Sequence, residues 1–222
     1  MTIDLIKTAD GSDSLFVREL DEHYHSTFGA VQESLHVFIK SGLNVKNESS
    51  LTIFEAGFGT GLNAFLTFLD SIKTGQMIHY ISIDKYPVPR NTWELLNYPQ
   101  LLSRDNSDIF RAMHFARWNE KVSITENFTL TKIYNDLTVF DFQFQPLFDL
   151  IYFDAFSPEK QPELWGKDIF HKLFSNTAPF GKLVTYCSKG SVRRALQASG
   201  YITERIPGPP GKREILRASK YL

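Results

Sequence analysis

Short apolar runs alternate along the chain with segments of helical periodicity, and this alternation predicts an α/β fold. The runs predicted to be strands cover residues 51–54, 79–84, 128–134, 148–154 and 181–186. Helices are predicted at residues 63–69, 91–98, 105–118 and 191–199. Two final runs, 201–206 and 214–218, flank a proline-rich connection and predict an antiparallel pair. The sequence therefore predicts a doubly wound, mainly parallel sheet that finishes in a C-terminal antiparallel hairpin.

The 222 residues are predicted to form one domain, because single α/β domains routinely exceed this length. No repeat, low-complexity segment or Pro/Gly-rich linker divides the sequence. Within the domain, residues 1–45 are predicted to form an N-terminal extension that acts as a lid. Residues 51–222 are predicted to form the core.

A glycine-rich loop follows the first predicted strand of the core. The chain runs Glu55-Ala-Gly57-Phe-Gly59-Thr-Gly61-Leu-Asn63, so bare backbone can approach a ligand there. A dinucleotide fingerprint would require glycine at position 62, and an acid at position 55 would repel a pyrophosphate. The acid suits a cationic ligand, and S-adenosylmethionine carries a sulfonium and an ammonium but no phosphate. We therefore predict that Glu55, Gly57, Gly59, Gly61 and Asn63 bind S-adenosylmethionine, with a ligand-free tight turn as the alternative.

Acidic residues follow four predicted strands, at Glu55, Asp84, Asp136 and Asp154. The carboxyl ends of parallel strands share one edge of a sheet, so these acids are expected to converge there. We expect Asp84 to accept hydrogen bonds from ribose hydroxyls, Asp136 from the adenine amino group, and Glu55 to lie beside the methionine portion. The alternatives are a solvated strand-end acid for Asp84 and a turn residue for Asp136.

Asp154 opens the segment Asp154-Ala-Phe-Ser-Pro158 and is predicted to be the catalytic residue. A nitrogen nucleophile must lose a proton before its lone pair can attack a methyl group. A carboxylate can orient the amine and accept the positive charge that it loses with the proton. Phe156 and Trp165 could stack on a base, with core packing as an equal alternative. For Asp154 the alternative is a strand-end or N-cap acid.

The overall charge is nearly balanced, with 24 basic and 25 acidic residues, so no global basic field indicates nucleic acid. The C-terminal part is locally basic. Against Glu204 and Glu214 it carries Lys189, Arg193, Arg194, Arg205, Lys212, Arg213, Arg217 and Lys220. This C-terminal basic patch is a candidate for phosphate contacts, with a solvated helix face as the alternative.

Other classes of site are not expected. The single cysteine, Cys187, excludes a disulfide framework and is predicted to serve packing. His23, His25 and His36 lack metal-ligand spacing, so no metal is predicted. No apolar run approaches the ~20 residues needed to span a bilayer, and the first residues are too polar for a secretory signal. A cytoplasmic protein without membrane contact is therefore expected.

Together these motifs resemble the tRNA 5-methylaminomethyl-2-thiouridine methyltransferases. The resemblance rests on the glycine loop and on three further segments, Ser-Ile-Asp84-Lys-Tyr-Pro87, Phe153-Asp-Ala-Phe-Ser-Pro-Glu-Lys-Gln-Pro-Glu-Leu-Trp165 and Gly208-Pro-Pro-Gly-Lys-Arg-Glu-Ile-Leu216. The leader Tyr24-His-Ser-x-x-Gly29-Ala-x-x-Glu33-Ser belongs to it as well. It covers nearly the whole chain, from about Asp10 to Leu216.

The resemblance implies a class I, Rossmann-like methyltransferase that methylates an aminomethyl group on the wobble uridine, in the anticodon region of certain tRNAs. That acceptor is a primary amine, in agreement with the role predicted for Asp154. The family often has glutamate where this chain has Asp84, and Asp136 carries over as the adenine contact. Further cofactor contacts are implied for Tyr24, Glu33 and Lys85. Substrate contacts are implied for Phe156, Ser157, Pro158, Trp165, Lys189, Lys212 and Arg213.

In the bifunctional bacterial form of the family, this domain is fused to a flavin-dependent oxidase that removes a carboxymethyl group. The chain looks like the stand-alone form, so the implied partner is a separate FAD-dependent oxidase acting upstream.

Three other functions compete with this interpretation. An aminopropyltransferase using decarboxylated S-adenosylmethionine and a small-amine methyltransferase also place an acid after the fourth strand. Asp154 alone therefore does not discriminate between them, and the basic patch weakly favours tRNA. A non-catalytic tRNA- or nucleotide-binding module is the third.

Overall fold

Eight strands form the central sheet of the computed structural model, which describes residues 2–143 and 145–221, and three more form a small N-terminal sheet. The strands are β1 (Ile3–Lys7), β2 (Asp13–Val17), β3 (Glu22–His23), β4 (Ser50–Ala56), β5 (Met77–Asp84), β6 (Lys121–Thr125), β7 (Phe128–Tyr134), β8 (Phe148–Phe153), β9 (Thr177–Thr185), β10 (Ile202–Pro207) and β11 (Glu214–Ser219). The helices are α1 (Ala30–Ser34), α2 (Leu62–Thr74), α3 (Arg90–Trp93), α4 (Tyr98–Leu102), α5 (Ser107–Phe115), α6 (Lys167–Ser175) and α7 (Gly190–Ala198). A π-helical segment, Leu35–Lys40, continues α1, and 3-10 turns lie at Leu43–Val45, Arg104–Asn106 and Pro162–Leu164.

The strand order of the central sheet is β10-β11-β9-β8-β4-β5-β7-β6. Its five middle strands, β9 to β7 in that order, are parallel. Antiparallel strands close both edges, with β6 against β7 and the β10–β11 hairpin against β9. The predicted mainly parallel sheet with a C-terminal hairpin is confirmed. From β4 the chain adds β5 and β7 on one side of β4, and it then crosses over to add β8 on the other side. This reversal makes the carboxyl ends of β4 and β8 a switch point, where sheets of this kind bind ligands.

Alternate side chains of the parallel strands pack into two apolar cores, one on each face of the sheet. On β4, Ile53 belongs to the core that contains the apolar sides of α2 and α5. Its neighbour Phe54 belongs to the core formed with α6 and α7. The middle strands are therefore buried on both faces, as their continuous apolar sequences predict.

The prediction of one helix over residues 91–98 is wrong in its extent. The structure has two short helices there, α3 and α4, with a break between them. Pro99 lies at the start of α4, and in a continuous helix its ring would clash with the carbonyl of residue 95. Asn97 also exchanges two hydrogen bonds with Asp13, which hold the chain outside helical geometry at the break. The helix predicted over 105–118 is shorter, since α5 covers Ser107–Phe115. Strand β6 and helix α6 were not predicted.

The N-terminal extension is an ordered structure of its own rather than a bare lid. Strands β1, β2 and β3 form an antiparallel sheet, and Leu15 of β2 is fully buried in the core of the α2 face. The reciprocal pair of Asp13 and Asn97 ties this sheet to the segment between α3 and α4. The following segment carries Tyr24 and Glu33 to the carboxyl ends of the central strands, so part of the extension covers the switch point.

Candidate active site

A cavity of about 570 Å³ lies at the carboxyl ends of β4, β5, β7 and β8. Of the residues predicted to bind cofactor or substrate, those that line it are Tyr24, Glu33, Gly57, Gly59, Asn63, Asp84, Lys85, Asp136, Asp154, Phe156, Ser157 and Lys212. Its volume falls within the range of small-molecule sites. Three of the four strand-end acids therefore converge on one space.

The glycine loop forms one wall of this cavity. Gly59 has a φ of +49°, a conformation that favours glycine, and its N–H donates to Asp84 Oδ2 at 2.9 Å. A Cβ atom at this position would lie 3.1 Å from Cδ1 of Tyr24, so the backbone and the tyrosine ring leave no room for a side chain. Gly57 also lines the cavity, whereas Gly61 does not and instead precedes the first residue of α2.

Asp84 is fixed by the backbone at the end of β5. Its Oδ2 accepts the Gly59 N–H, and its Oδ1 accepts the Tyr86 N–H at 2.8 Å. Burial raises the pKa of this carboxyl, and the backbone donors act against that rise. Each oxygen keeps a further lone pair, so the carboxylate can accept hydroxyl donors from a ligand in the cavity.

Asp136 is also fixed, but by a cation and a turn. Lys85 Nζ lies 2.7 Å from its Oδ2, while Thr138 donates to Oδ1 through both its N–H, at 2.8 Å, and its hydroxyl, at 2.7 Å. The hydrogen bond from Lys85, then that from Thr138, lowers the pKa of Asp136 to about 2. Both Lys85 and Asp136 line the cavity. The pairing gives Lys85 a visible role as the partner of Asp136.

Asn63 joins the acids at the ends of β4 and β8. Its Nδ2 donates to Glu55 Oε1 at 3.1 Å and to Asp154 Oδ2 at 2.8 Å. Glu55 is 1% exposed and lies behind Asn63, outside the residues that line the cavity. The expected contact of Glu55 with the methionine portion is therefore corrected: its contribution is to orient Asn63.

Burial controls the charge of both acids. It raises the pKa of Glu55 well above its ordinary value, and the charge of Asp154 raises it further. Burial, then the charge of Glu33, raises the pKa of Asp154 to about 7, against the opposing effects of Asn63 and Lys212. Asp154 thus titrates near neutral pH, which suits a group that accepts a proton and later releases it.

The segment after Asp154 divides between the cavity and the core. Phe156 and Ser157 line the cavity, and the Phe156 ring meets that of Tyr24 edge-on at 5.0 Å. Trp165 is 5% exposed and packs against Phe153 with ring centroids 4.9 Å apart. Its indole N–H donates to the Phe156 carbonyl at 2.8 Å. The proposed base stacking by Trp165 is therefore wrong, and core packing is its role. Pro158 does not line the cavity either.

The C-terminal basic patch is largely neutralised by internal partners. Lys189 pairs with Glu159, Arg205 with Glu214, Lys212 with Glu33 and Arg217 with Glu204. The Lys220 ammonium donates to two backbone carbonyls. Lys189 and Arg213 lie outside the cavity lining. In the described part of the chain, four members of this patch, Arg193, Arg194, Arg213 and Lys220, have no carboxylate partner.

Tyr186 and Thr60 are among the cavity residues that the sequence reasoning missed. Tyr186, just beyond β9, lines the cavity, and its hydroxyl donates to the Ala155 carbonyl at 2.9 Å. Thr60 in the glycine loop shares a hydrogen bond of 2.8 Å with the buried His25. The position of Tyr186 at the end of a predicted strand was a usable signal, because that edge of the sheet was already expected to hold the site.

Replacing Asn63 by alanine should move the pH midpoint of catalysis upward. The rate of the wild-type protein should rise through about pH 7, because protonated Asp154 has no free charge with which to take up an amine proton. Loss of the Asn63 donor raises the pKa of Asp154 further, so the rise should occur at higher pH. Single-turnover rates at saturating cofactor measure the midpoint. Asn44→Ala, at an exposed position, is the control, and an unshifted midpoint in Asn63→Ala would contradict this role.

The family model of the S-adenosyl-L-methionine-dependent methyltransferases matches residues 107–221, and the chain belongs to that family. It is similar to the tRNA 5-methylaminomethyl-2-thiouridine biosynthesis bifunctional protein MnmC of Pseudomonas savastanoi pv. phaseolicola, at 30% identity over 216 residues, 91% of this chain and 32% of that protein. The MnmC protein of Pseudomonas fluorescens is 31% identical over 213 residues, 90% of this chain and 32% of that protein. The chain spans about a third of the length of these curated relatives.

Solved structures agree with this assignment. The crystal structure of MNMC2 from Aquifex aeolicus matches with a TM-score of 0.80 and 26% identity, over 98% of this chain and 70% of that chain. Spermidine synthase from Thermotoga maritima matches with a TM-score of 0.59 over 98% of this chain and 68% of that chain, but at 13% identity this likeness shows the fold alone. The predicted methyltransferase class and the predicted cofactor, S-adenosylmethionine, are confirmed.

Two of the structural findings concern membranes and metals. Among residues 2–143 and 145–221, no helix is long and apolar enough to cross a bilayer. Within the same residues, no cluster of three or more histidine, cysteine or acidic side chains has the arrangement of a metal site.

Proposed function

We propose that this protein transfers a methyl group from S-adenosylmethionine to the primary amine of 5-aminomethyl-2-thiouridine, or its 2-oxo form, at the wobble position of tRNA. The product is the corresponding 5-methylaminomethyl uridine. The observation that carries the proposal is Asp154, a carboxyl group with a pKa near 7 at the switch point of a methyltransferase fold. The names of the MnmC relatives support this modification as the reaction.

The cavity fits the cofactor. Gly57 and Gly59 line the cavity without side chains, and Asp84 presents a fixed carboxylate beside them. We propose that Asp84 accepts the ribose hydroxyls, that Asp136 with Lys85 lies at the adenine, and that Gly57, Gly59 and Asn63 face the methionine portion. When bound, S-adenosylmethionine supplies a methyl group activated by its positive sulfur.

Asp154 is proposed to bind the acceptor amine and to take up its proton. Its carboxylate accepts a hydrogen bond from the incoming amine, orients the nitrogen and takes up the proton that the nitrogen loses. Asn63 holds one carboxylate oxygen in place and leaves the other for the amine. Phe156 and Ser157, which line the cavity beyond Asp154, are proposed to contact the uridine.

The likeness to spermidine synthase concerns the fold, so no specific observation favours aminopropyl transfer over methyl transfer. The bifunctional naming of the relatives supports a further proposal, that an FAD-dependent oxidase acts upstream of the methyl transfer. We propose a cytoplasmic location with this function, because the proposed substrate is tRNA.

The direct test is incubation of the protein with labelled S-adenosylmethionine and tRNA from cells that lack this activity. Nucleoside analysis should show conversion of aminomethyl uridine to methylaminomethyl uridine. Label in any other nucleoside, or none, would overturn the proposed substrate. Putrescine with decarboxylated S-adenosylmethionine serves as the parallel reaction and should give no product.

Replacing Arg213 by serine should weaken tRNA binding and reduce its salt dependence. Arg213 is exposed beside Lys212 and has no carboxylate partner among the described residues, so its charge is free for a phosphate. Loss of one phosphate contact should lower the slope of log K against log salt by about 0.7–0.9. Filter binding across a salt series measures the slope. Arg117, near the opposite edge of the sheet, is also exposed, and it pairs with Glu120. Arg117→Ser controls for the loss of one positive charge, and an equal change in both variants would count against this surface.

A further inference from the structure

The ammonium group of Lys212 lies in the cavity and not on the outer surface. The residue belongs to the loop between β10 and β11, yet its Nζ lies 2.5 Å from Glu33 Oε1. The same atom lies 4.0 Å from the centroid of the Tyr186 ring. All three residues line the cavity. A carboxylate on one side and an aromatic face on another form a common environment for a small organic cation.

This environment is held in place independently of the lysine. The second carboxylate oxygen of Glu33 accepts the Ser26 N–H at 2.8 Å, and the Glu33 side chain is 9% exposed. Tyr186 is fixed by the hydrogen bond from its hydroxyl to the Ala155 carbonyl. We call Glu33, Tyr186 and the adjoining Asp154 the ammonium subsite.

Asp154 adjoins the other two members of the ammonium subsite. The Tyr186 hydroxyl donates to the carbonyl of Ala155, the next residue, and Asp154 lines the same cavity as Glu33 and Lys212. In agreement with this placement, the charge of Glu33 raises the pKa of Asp154 and the charge of Lys212 lowers it. A cation in this place therefore sits next to the group that is assigned to the acceptor amine. The site of the lysine ammonium and the site of the reacting nitrogen adjoin each other.

The end of a lysine side chain is a methylene carrying a primary ammonium. The aminomethyl group of the proposed acceptor is the same chemical group on a pyrimidine ring. We propose that the ammonium subsite receives the acceptor's ammonium group, and that Lys212 occupies it in the free protein and withdraws when the acceptor enters. This inference rests on the proposed function, because it concerns the same acceptor.

The exchange needs no large movement of the backbone. The lysine side chain has four rotatable bonds, and 29% of it is exposed, so rotation alone can carry the ammonium to solvent. While the cavity lacks an acceptor, the lysine keeps the buried Glu33 carboxylate paired, which avoids an uncompensated charge. The subsite then favours an acceptor that brings its own positive charge over a neutral one of the same shape.

The experiment measures binding of two nucleosides in the presence of S-adenosylhomocysteine, so that no reaction occurs. One is 5-aminomethyluridine, and the other is 5-hydroxymethyluridine, which lacks the charge. Lys212→Met should bind the amine about fivefold more tightly than the wild type, as expected for removal of one competing cation. Its affinity for the alcohol should not change. Lys121→Met, at an exposed position of β6 that does not line the cavity, should leave both affinities unchanged.

Weaker amine binding in Lys212→Met, or an equal change in the affinities for the two nucleosides, would overturn the inference. Lys212 would then serve only to hold the Glu33 carboxylate in place. Lys212→Gln provides a second uncharged side chain in case the methionine disturbs folding. Adding Glu33→Gln to Lys212→Met should abolish the gain. Methylation of tRNA by the wild-type protein is measured separately, and its absence would refute the proposed function. If the wild type methylates tRNA but Lys212→Met and Lys212→Gln bind the amine no more tightly than the wild type, only this inference is refuted.

Discussion

Replacement of Asp154 by asparagine should reduce the rate of methyl transfer by about 10²–10⁴-fold, the usual contribution of a positioned acid–base group. Asparagine keeps nearly the same volume, and its carbonyl oxygen can still accept the hydrogen bond from Asn63. It has no charge to hold the incoming amine and no site for the proton. The affinity for S-adenosylhomocysteine should stay within about twofold, because Asp84 and the glycine loop are unchanged.

Two measurements separate this role from a structural one. The pH dependence near neutrality, which the wild type owes to Asp154, should be absent from the residual activity of the variant. Asp168→Asn on the exposed surface of α6 controls for the loss of one negative charge. Activity of Asp154→Asn equal to that of the control would refute the catalytic assignment.

Gly59→Ala should lower the affinity for S-adenosylhomocysteine at least about tenfold, which corresponds to ~1.4 kcal/mol. A methyl group at this position meets the Tyr24 ring at 3.1 Å, so either the ring or the loop has to move. If the loop moves, the hydrogen bond from its N–H to Asp84 is disturbed, and the carboxylate loses its orientation. Calorimetric titration measures the affinity.

Gly75→Ala is a matched control for this substitution. Gly75 ends α2 with a φ of +74°, and a Cβ there would meet nothing within 4 Å. Both alanines adopt an unfavourable left-handed conformation, so each variant should lose about 1–2 kcal/mol of stability in denaturant unfolding. Only Gly59→Ala should lose cofactor affinity. Equal affinities in the two variants would show that the crowding at Gly59 has no bearing on the site.

The sequence predicted the parallel strands and the place where they end, because both depend on local patterns. Continuous apolar runs mark strands that are buried on two faces, and the residue after each run must lie at the shared edge. This reasoning brings Asp84, Asp136 and Asp154 together from the sequence alone. It does not say which acids face the cavity, and Glu55 lies one layer behind because Asn63, the second residue of α2, intervenes.

The remaining differences come from contacts between distant parts of the chain. Trp165 looked available for a base because its partners, Phe153 and Phe170, are assembled only by the packing of α6 on β8. Lys189 and Lys212 of the basic patch looked free because their carboxylate partners, Glu159 and Glu33, lie elsewhere in the sequence. The break at Asn97 depends on Asp13 in the N-terminal sheet. Local periodicity contains no information on such pairs.

The ammonium subsite has a consequence for biosynthesis. The glycine loop, Asp84 and Asp136 lie within residues 57–136, whereas the subsite joins Glu33 to Asp154 and Tyr186, which follow β8 and β9. Contacts so distant in sequence form late, because a long loop has to close first. On the ribosome, the nascent chain should therefore acquire the pocket for the methyl donor before that for the acceptor. A translation intermediate that ends before β9 lacks Tyr186 and should then hold the donor while unable to discriminate among amines.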